Sequence, residues 1–175
     1  MSIRVHIEPC ALPVAVSVEP AGESEAVADE LQIVDREPDE VTHVVRLELG
    51  GALRVRYSLS AHSTGLVDLT VMHIASTNRL FLGGKRKSCV VDVEEERLEH
   101  EYEHCLFWGF DPVTLPGFVL ETGELDCLLR SLDGAVLGHC SVDPPWEMYV
   151  EEGRVRFESS AQGTSFLPLP QLPPT

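Results

Sequence analysis

The chain has 175 residues, of which 43% are hydrophobic, and its 29 acidic and 13 basic residues give a formal net charge of -16. A chain of this length can bury roughly two thirds of its unfolded surface, and no apolar run approaches the roughly 20 residues that a membrane helix needs. The chain is therefore expected to be a folded protein. Because its negative charge repels nucleic acid and anionic membranes, the composition excludes both as partners and indicates that the protein binds a basic protein.

The N-terminal segment and the cysteines indicate the compartment. Apolar and polar residues alternate from Ile3 onward, and Pro9 and Pro13 interrupt the pattern, which differs from the continuous apolar stretch of a signal peptide. The five cysteines are an odd number without a C-x-x-C pair, which argues against a disulfide framework and against a cysteine-only zinc site. We therefore expect a cytoplasmic protein whose cysteines are mostly buried thiols.

Alternation of apolar and polar residues with period two recurs along the chain and predicts half-buried strands. Four pairs of strands have a glycine between them, where a tight turn favours positive φ. These hairpins begin at Arg46, Arg79, Phe118 and Met148, and an Asp133-Gly134 turn joins a further pair. No segment combines an N-cap, a 3.6-residue apolar stripe and a glycine stop. We predict an all-β fold in which antiparallel hairpins and meanders form a β-sandwich; the alternative is a small propeller-like or blade-like architecture.

The composition divides the chain into a domain and a tail. We predict a single β-rich domain over residues 1–160, followed by a proline-rich tail over residues 161–175. Proline favours extended polyproline geometry, and the P-x-x-P spacing of Pro170 and Pro173 suits a proline-binding groove.

The stretch from Leu98 to Trp108, LEHEYEHCLFW, contains the pattern H-E-x-x-H at His100, Glu101 and His104. These five residues resemble the signature of the zincin metallopeptidases, which implies zinc bound by the two histidines and water activated by the glutamate. In a helix the two histidine Cα atoms are about 6 Å apart, whereas in a strand they are about 13 Å apart, too far for one ion. The zinc hypothesis therefore requires a helix.

The pattern of this stretch favours a strand. Alternation places Leu98, His100 and Tyr102 on one face, and Glu99, Glu101 and Glu103 on the opposite, solvated face. A helix would instead distribute the glutamates around its circumference and leave no apolar stripe. We predict a strand, with no metal bound; a zinc site at His100 and His104 is the alternative.

The function that fits these features is protein binding. The chain has neither a phosphate-binding loop nor a G-x-S-x-G nucleophile elbow, and we expect no enzyme activity and no cofactor. Acidic residues next to aromatic ones have the composition of an interface. The predicted binding residues are Glu99, Glu101, Glu103, Trp108, Phe110, Trp146 and Tyr149.

We therefore predict a non-enzymatic acidic domain, an immunity or antitoxin protein that neutralises a basic effector. One alternative is a zinc-dependent hydrolase that uses His100, Glu101 and His104. The other is a structural or scaffold β module that self-associates through unpaired strand edges. The sequence leaves the oligomeric state open.

Overall fold

The computed structural model describes residues 2–7, 12–23, 25, 27–35, 41–59 and 66–170, and these residues form sixteen strands and one 3-10 helix, Ala21–Glu23. The strands are β1 (Ser2–Ile7), β2 (Val14–Pro20), β3 (Leu31–Val34), β4 (His43–Leu49), β5 (Leu53–Leu59), β6 (Leu66–Ile74), β7 (Arg79–Gly83), β8 (Lys87–Asp92), β9 (Arg97–Glu103), β10 (Phe107–Asp111), β11 (Phe118–Gly123), β12 (Asp126–Ser131), β13 (Val136–Ser141), β14 (Trp146–Glu151), β15 (Arg154–Ser159) and β16 (Gly163–Pro168). In this part of the chain no helix has the length and apolar character needed to cross a membrane.

The chain divides into two compact units, residues 1–103 and residues 104–175, within the span where we predicted one domain. We call them the N-terminal unit and the C-terminal unit. Each unit contains two sheets and its own cluster of buried apolar side chains. Two sheets that bury their inner faces against each other already make a complete core, which explains why the contacts concentrate within each unit.

The N-terminal unit pairs a five-stranded sheet, in the order β1-β6-β7-β8-β9, with a four-stranded sheet, in the order β2-β4-β5-β3. Val45 and Leu47 of β4 share one buried cluster with Leu80 and Leu82 of β7, so the two sheets enclose a common core. The pairs β1–β6 and β3–β5 are parallel, which differs from the purely antiparallel arrangement that we predicted.

The C-terminal unit pairs a four-stranded meander, β10-β11-β12-β13, with a three-stranded meander, β14-β15-β16. Leu120 and Leu129 of the first sheet pack with Phe157 and Leu167 of the second. Strand β16 lies within the predicted proline-rich tail, so the prediction of a tail from residue 161 is wrong for this segment. The strand forms because Leu167 is buried in the core, and Pro168, the last strand residue, needs no further ladder hydrogen bond. Residues 171–175, including Pro173 of the P-x-x-P spacing, lie outside the described residues.

The fold is all-β, and the predicted hairpins form, although the glycine of the β11–β12 hairpin, Gly123, lies in the strand and not in the turn. Gly50, Gly51, Gly134 and Gly153 have positive φ, as the turn chemistry requires. The turn that follows β7 needs glycine for a different reason. A Cβ atom on Gly84 would lie 2.8 Å from the hydroxyl oxygen of the buried Tyr57, so close packing excludes a side chain there.

Candidate functional site

As we predicted, the H-E-x-x-H stretch is not a helix. Strand β9 extends through it as far as Glu103. Our prediction that Leu98 and His100 share one face of this strand is wrong, because the pairing of β9 with β8 shifts register between them. Leu98 lies opposite Val91, and His100 lies opposite the adjacent residue, Val90. The shift makes residue 99 the extra residue of a β-bulge, so Leu98 and His100 point to opposite faces. His100 belongs to the N-terminal unit and His104 to the C-terminal unit.

His104 lies in the segment between β9 and β10, and its side chain is fully buried in the C-terminal unit. Its Nε2 atom is 2.5 Å from Oε1 of Glu121 on β11, and its Nδ1 atom is 2.9 Å from Oδ1 of Asp126 on β12. Each ring nitrogen thus lies within hydrogen-bond distance of a carboxylate oxygen, an arrangement that a doubly protonated imidazolium satisfies by donating to both.

Arg130 of β12 completes this buried cluster. Its Nε atom donates to the second carboxylate oxygen of Glu121, and its Nη1 atom donates to the carbonyl oxygen of Gly134 at 2.9 Å. The cluster of His104, Glu121, Asp126 and Arg130 thus contains two cations and two anions. We call it the histidine cluster. It ties the segment before β10 to the β11–β12 hairpin without leaving a net charge in the core.

Burial and hydrogen bonding act in opposite directions on the pKa of His104. Removal of the ring from water lowers the pKa, whereas the hydrogen bonds to Asp126 and Glu121 raise it, with further contributions from the two negative charges. The hydrogen bonds and charges prevail, and the pKa of His104 rises from 6.5 to about 9. The ring is therefore charged at neutral pH.

This geometry gives no support to the zinc alternative. A metal ion needs the lone pair of a neutral imidazole nitrogen, and both nitrogens of His104 are occupied by carboxylates. The helix that would bring His100 next to it is absent from residues 97–103, which are strand. Over the described ranges, no group of three or more potential metal ligands occurs. The cluster is suited to holding structure together.

Gly123 closes the histidine cluster at the end of β11, where its φ is not positive. A Cβ atom at this position would lie 2.5 Å from Oδ1 of Asp126 and 2.7 Å from Nδ1 of His104. The sequence prediction assigned this glycine a turn conformation. The structure instead shows that the glycine is needed so that the histidine and the aspartate can meet.

A Gly123→Ala substitution is expected to lower the free energy of unfolding by about 1–3 kcal/mol, because the added methyl group must displace the His104–Asp126 hydrogen bond. Chemical unfolding of the purified protein measures the change. The matched control is Gly109→Ala in β10, where a Cβ atom meets nothing within 4 Å. Equal stability of the two variants would contradict the role assigned to Gly123.

Two of the predicted binding residues, Trp108 and Trp146, stack on each other in the C-terminal unit. Their ring centroids are 5.3 Å apart and the rings are inclined by 21°. Trp108 is the extra residue of a β-bulge in β10, which turns its indole ring toward the surface, and it is 46% exposed. Phe110 is instead partly covered, with its ring centroid 4.9 Å from that of Phe107.

Tyr149 lies on the opposite face of β14 from Trp146, so the structure separates these two predicted residues. Trp146 packs toward the core against Phe157, whereas Tyr149 points outward and is 38% exposed. The guanidinium of Arg156 lies 4.3 Å from the centroid of the Tyr149 ring, and the Tyr149 hydroxyl donates to Glu147 at 2.5 Å.

A similar contact occurs one strand further along the same sheet. Arg154 lies 4.3 Å from the ring centroid of Phe166 on β16, and Phe166 is 44% exposed. Arg156 lies directly opposite both Tyr149 and Phe166 in the strand register, so the three side chains share one face of the sheet. We define Tyr149, Arg154, Arg156 and Phe166 as the aromatic–arginine face.

The three predicted glutamates of β9 belong to the N-terminal unit, whereas the predicted aromatic residues belong to the C-terminal unit. Glu99 forms ion pairs with Arg79 at 2.8 Å and with Arg97 at 3.1 Å, and Glu101 pairs with Lys87 at 3.2 Å. Glu103 is exposed. Two of the three carboxylates are thus already neutralised within the sheet.

Sequence reasoning missed the histidine cluster and three of the four residues of the aromatic–arginine face, all except Tyr149. The signal for the first was the presence of Glu121 and Arg130 inside apolar strands, since buried charges require partners. The signal for the second was the hairpin around Gly153, whose register brings Arg156 opposite Tyr149.

No protein-family model matches the sequence, and no curated protein matches it. Among solved structures, the chain is similar to the crystal structure of BamB from Moraxella catarrhalis, with 10% sequence identity and a TM-score of 0.28. The match covers 83% of this chain and 62% of that chain, so the chain spans less than two thirds of that protein. Similarity at this level assigns no family and no function.

Proposed function

We propose that the protein is a non-enzymatic, cytoplasmic binding domain that recognises a basic protein through the aromatic–arginine face, as an immunity or antitoxin protein recognises its effector. The observation that carries the proposal is the row of Tyr149, Arg156 and Phe166 across three strands, with both aromatic rings exposed. Tyrosine and arginine are among the residues that contribute most to binding energy at protein interfaces.

The side chains of this face are already held in place before a partner binds. Glu151 accepts from Arg156 Nε at 2.5 Å and from Arg154 Nη2 at 2.7 Å, and the two guanidinium groups in turn cover the aromatic rings. Ordering a long side chain on binding costs about 0.5–1.5 kcal/mol, and a side chain ordered in advance avoids much of that cost. Preorganisation therefore favours a binding role for this face.

The rim of the face suits a basic partner. Glu147 and Glu158 lie directly opposite each other on β14 and β15, where Glu158 pairs with Arg156 and Glu147 accepts from the Tyr149 hydroxyl. Both line a groove of about 440 Å³, together with Trp146, Ser159 and Thr164. A lysine or arginine side chain in this groove would place a cation next to two carboxylates and add charge-assisted hydrogen bonds to them. The net charge of -16 adds long-range attraction.

The proposal is tested first with the product of the neighbouring gene, because an immunity protein is normally encoded beside its effector, and the proposal requires this product to be a basic protein. We expect a stoichiometric complex, and we expect the double substitution Tyr149→Ala and Phe166→Ala to weaken binding by about 2 kcal/mol or more, roughly thirtyfold. Isothermal titration calorimetry measures the affinity. Val113→Ala is the control, because Val113 is highly exposed and lies outside the face.

Salt provides a second readout of the same complex. Raising ionic strength from about 0.05 M to about 0.5 M should slow association, because the Debye length shortens and charge steering is lost. Binding that is independent of salt and unaffected by the double substitution would contradict the proposal. Self-association of the chain with no binding of the basic protein would favour the scaffold alternative.

A further inference from the structure

The structure brings two cysteines together in the C-terminal unit. Cys127 on β12 and Cys140 on β13 lie directly opposite each other in the antiparallel register, and both are buried in the same apolar cluster. Their side chains therefore project from the same face of the sheet. Neither is in a disulfide, and the same holds for Cys89, which is buried, and for Cys105, which is exposed.

The backbone hydrogen bonds define the spacing of this pair. The amide of Val142 donates to the carbonyl of Leu125 at 3.0 Å, and these residues lie two positions beyond the cysteines on each strand. Hydrogen-bonded pairs recur every second residue in an antiparallel ladder, so Cys127 and Cys140 also form a hydrogen-bonded pair, with about 5.5 Å between Cα atoms. A disulfide requires about 4.4–6.8 Å.

The two thiols are not equivalent. Cys140 is 8% exposed, whereas Cys127 is inaccessible to solvent. The hydrogen bond between the thiols lowers the pKa of Cys140 and raises that of Cys127, whose burial raises it further. Because the thiolate is the attacking species in disulfide exchange, Cys140 is the residue that reacts first.

We propose that Cys127 and Cys140 are a reversible redox pair that forms a cross-strand disulfide, with a low-molecular-weight disulfide such as glutathione disulfide as the oxidant. The Cys140 thiolate attacks one sulfur of glutathione disulfide, whose S–S bond breaks and releases one glutathione thiolate. The Cys127 thiol then loses its proton and attacks the Cys140 sulfur, and the second glutathione leaves. The protein loses two hydrogen atoms, and glutathione disulfide becomes two molecules of glutathione.

The disulfide would join β12 to β13 covalently. Strand β12 also carries Asp126 and Arg130, so the crosslink would restrain the strand that supplies half of the histidine cluster. This inference concerns a modification site and is independent of the proposed binding function.

The test is equilibration of the full chain in glutathione buffers of increasing oxidising strength. We expect the number of titratable thiols in the unfolded protein to fall from five to three, and peptide mapping to identify a Cys127–Cys140 crosslink. The Cys105→Ser variant removes the exposed thiol from the assay and should form the same crosslink. Cys89→Ala should also form it, whereas Cys140→Ala should not.

Two outcomes would overturn the proposal. The first is retention of free thiols at Cys127 and Cys140 at every glutathione ratio in the wild-type protein. The second is oxidation of Cys140 that stops at the mixed disulfide with glutathione. Both are read from the wild-type chain by mass spectrometry and therefore do not depend on whether a variant folds.

Discussion

Replacing Glu121 with alanine is expected to lower the free energy of unfolding of the C-terminal unit by about 3–5 kcal/mol, the usual cost of removing one partner from a buried ion pair. The reason is that His104 and Arg130, both fully buried, would lose their shared anion, and neither cation can reach water. Urea unfolding followed by tryptophan fluorescence measures the loss. The chain has two tryptophans, Trp108 and Trp146, and both lie in this unit.

The matched control is Glu124→Ala, which removes the same type of side chain from the connection between β11 and β12. Glu124 is half-buried and lies outside the histidine cluster, so its replacement should change stability by less than about 0.5 kcal/mol. A loss below about 1 kcal/mol for Glu121→Ala would show that the histidine cluster contributes little to the fold.

The stability of the C-terminal unit is also expected to depend on pH through His104. The folded-state pKa of about 9 lies above the unfolded value of 6.5, so the contribution is fully present below pH 6.5 and is lost as pH rises toward 9. A shift of this size corresponds to on the order of 3 kcal/mol. Urea unfolding at a series of pH values between these limits measures the decline.

The loss of stability between pH 6.5 and pH 9 should be due to the His104 side chain. His104→Gln should flatten the pH dependence between 6.5 and 9, because the group that titrates in this window is gone. The exposed His139, in the same unit, provides the control, and His139→Gln should retain the decline. A wild-type protein that is equally stable across this range would be inconsistent with a charged His104.

The strands and most hairpins could be predicted because their causes are local. Alternating side chains and glycine turns depend on residues that are neighbours in the sequence, as around Gly50 and Gly153. Strand β16 was missed because its prolines favour extended, unpaired chain, and only the packing of Leu167 into the core makes it a strand. Tertiary burial prevailed over local composition there.

The histidine cluster could not be predicted in detail because its contacts are distant in sequence. Glu121 and Asp126 lie 17 and 22 residues beyond His104, and only the folded β11–β12 hairpin brings both to the ring. The need for glycine at position 123 also depends on distant contacts. The sequence suggests a turn glycine, but a side chain is excluded there by the packing of His104 and Asp126. The bulge at residue 99 likewise has no sequence signal that we could identify, yet it reverses the faces of the residues around it.

The claim that His104 is a buried imidazolium and not a metal ligand is tested most directly by NMR titration of its ring nitrogens in the wild-type protein. Two protonated nitrogens with a pKa of about 9, and spectra that do not change when zinc is added, are the expected result. A neutral ring at pH 7, or a stoichiometric zinc-dependent shift of its resonances, would contradict the ion-pair assignment and restore the metal hypothesis.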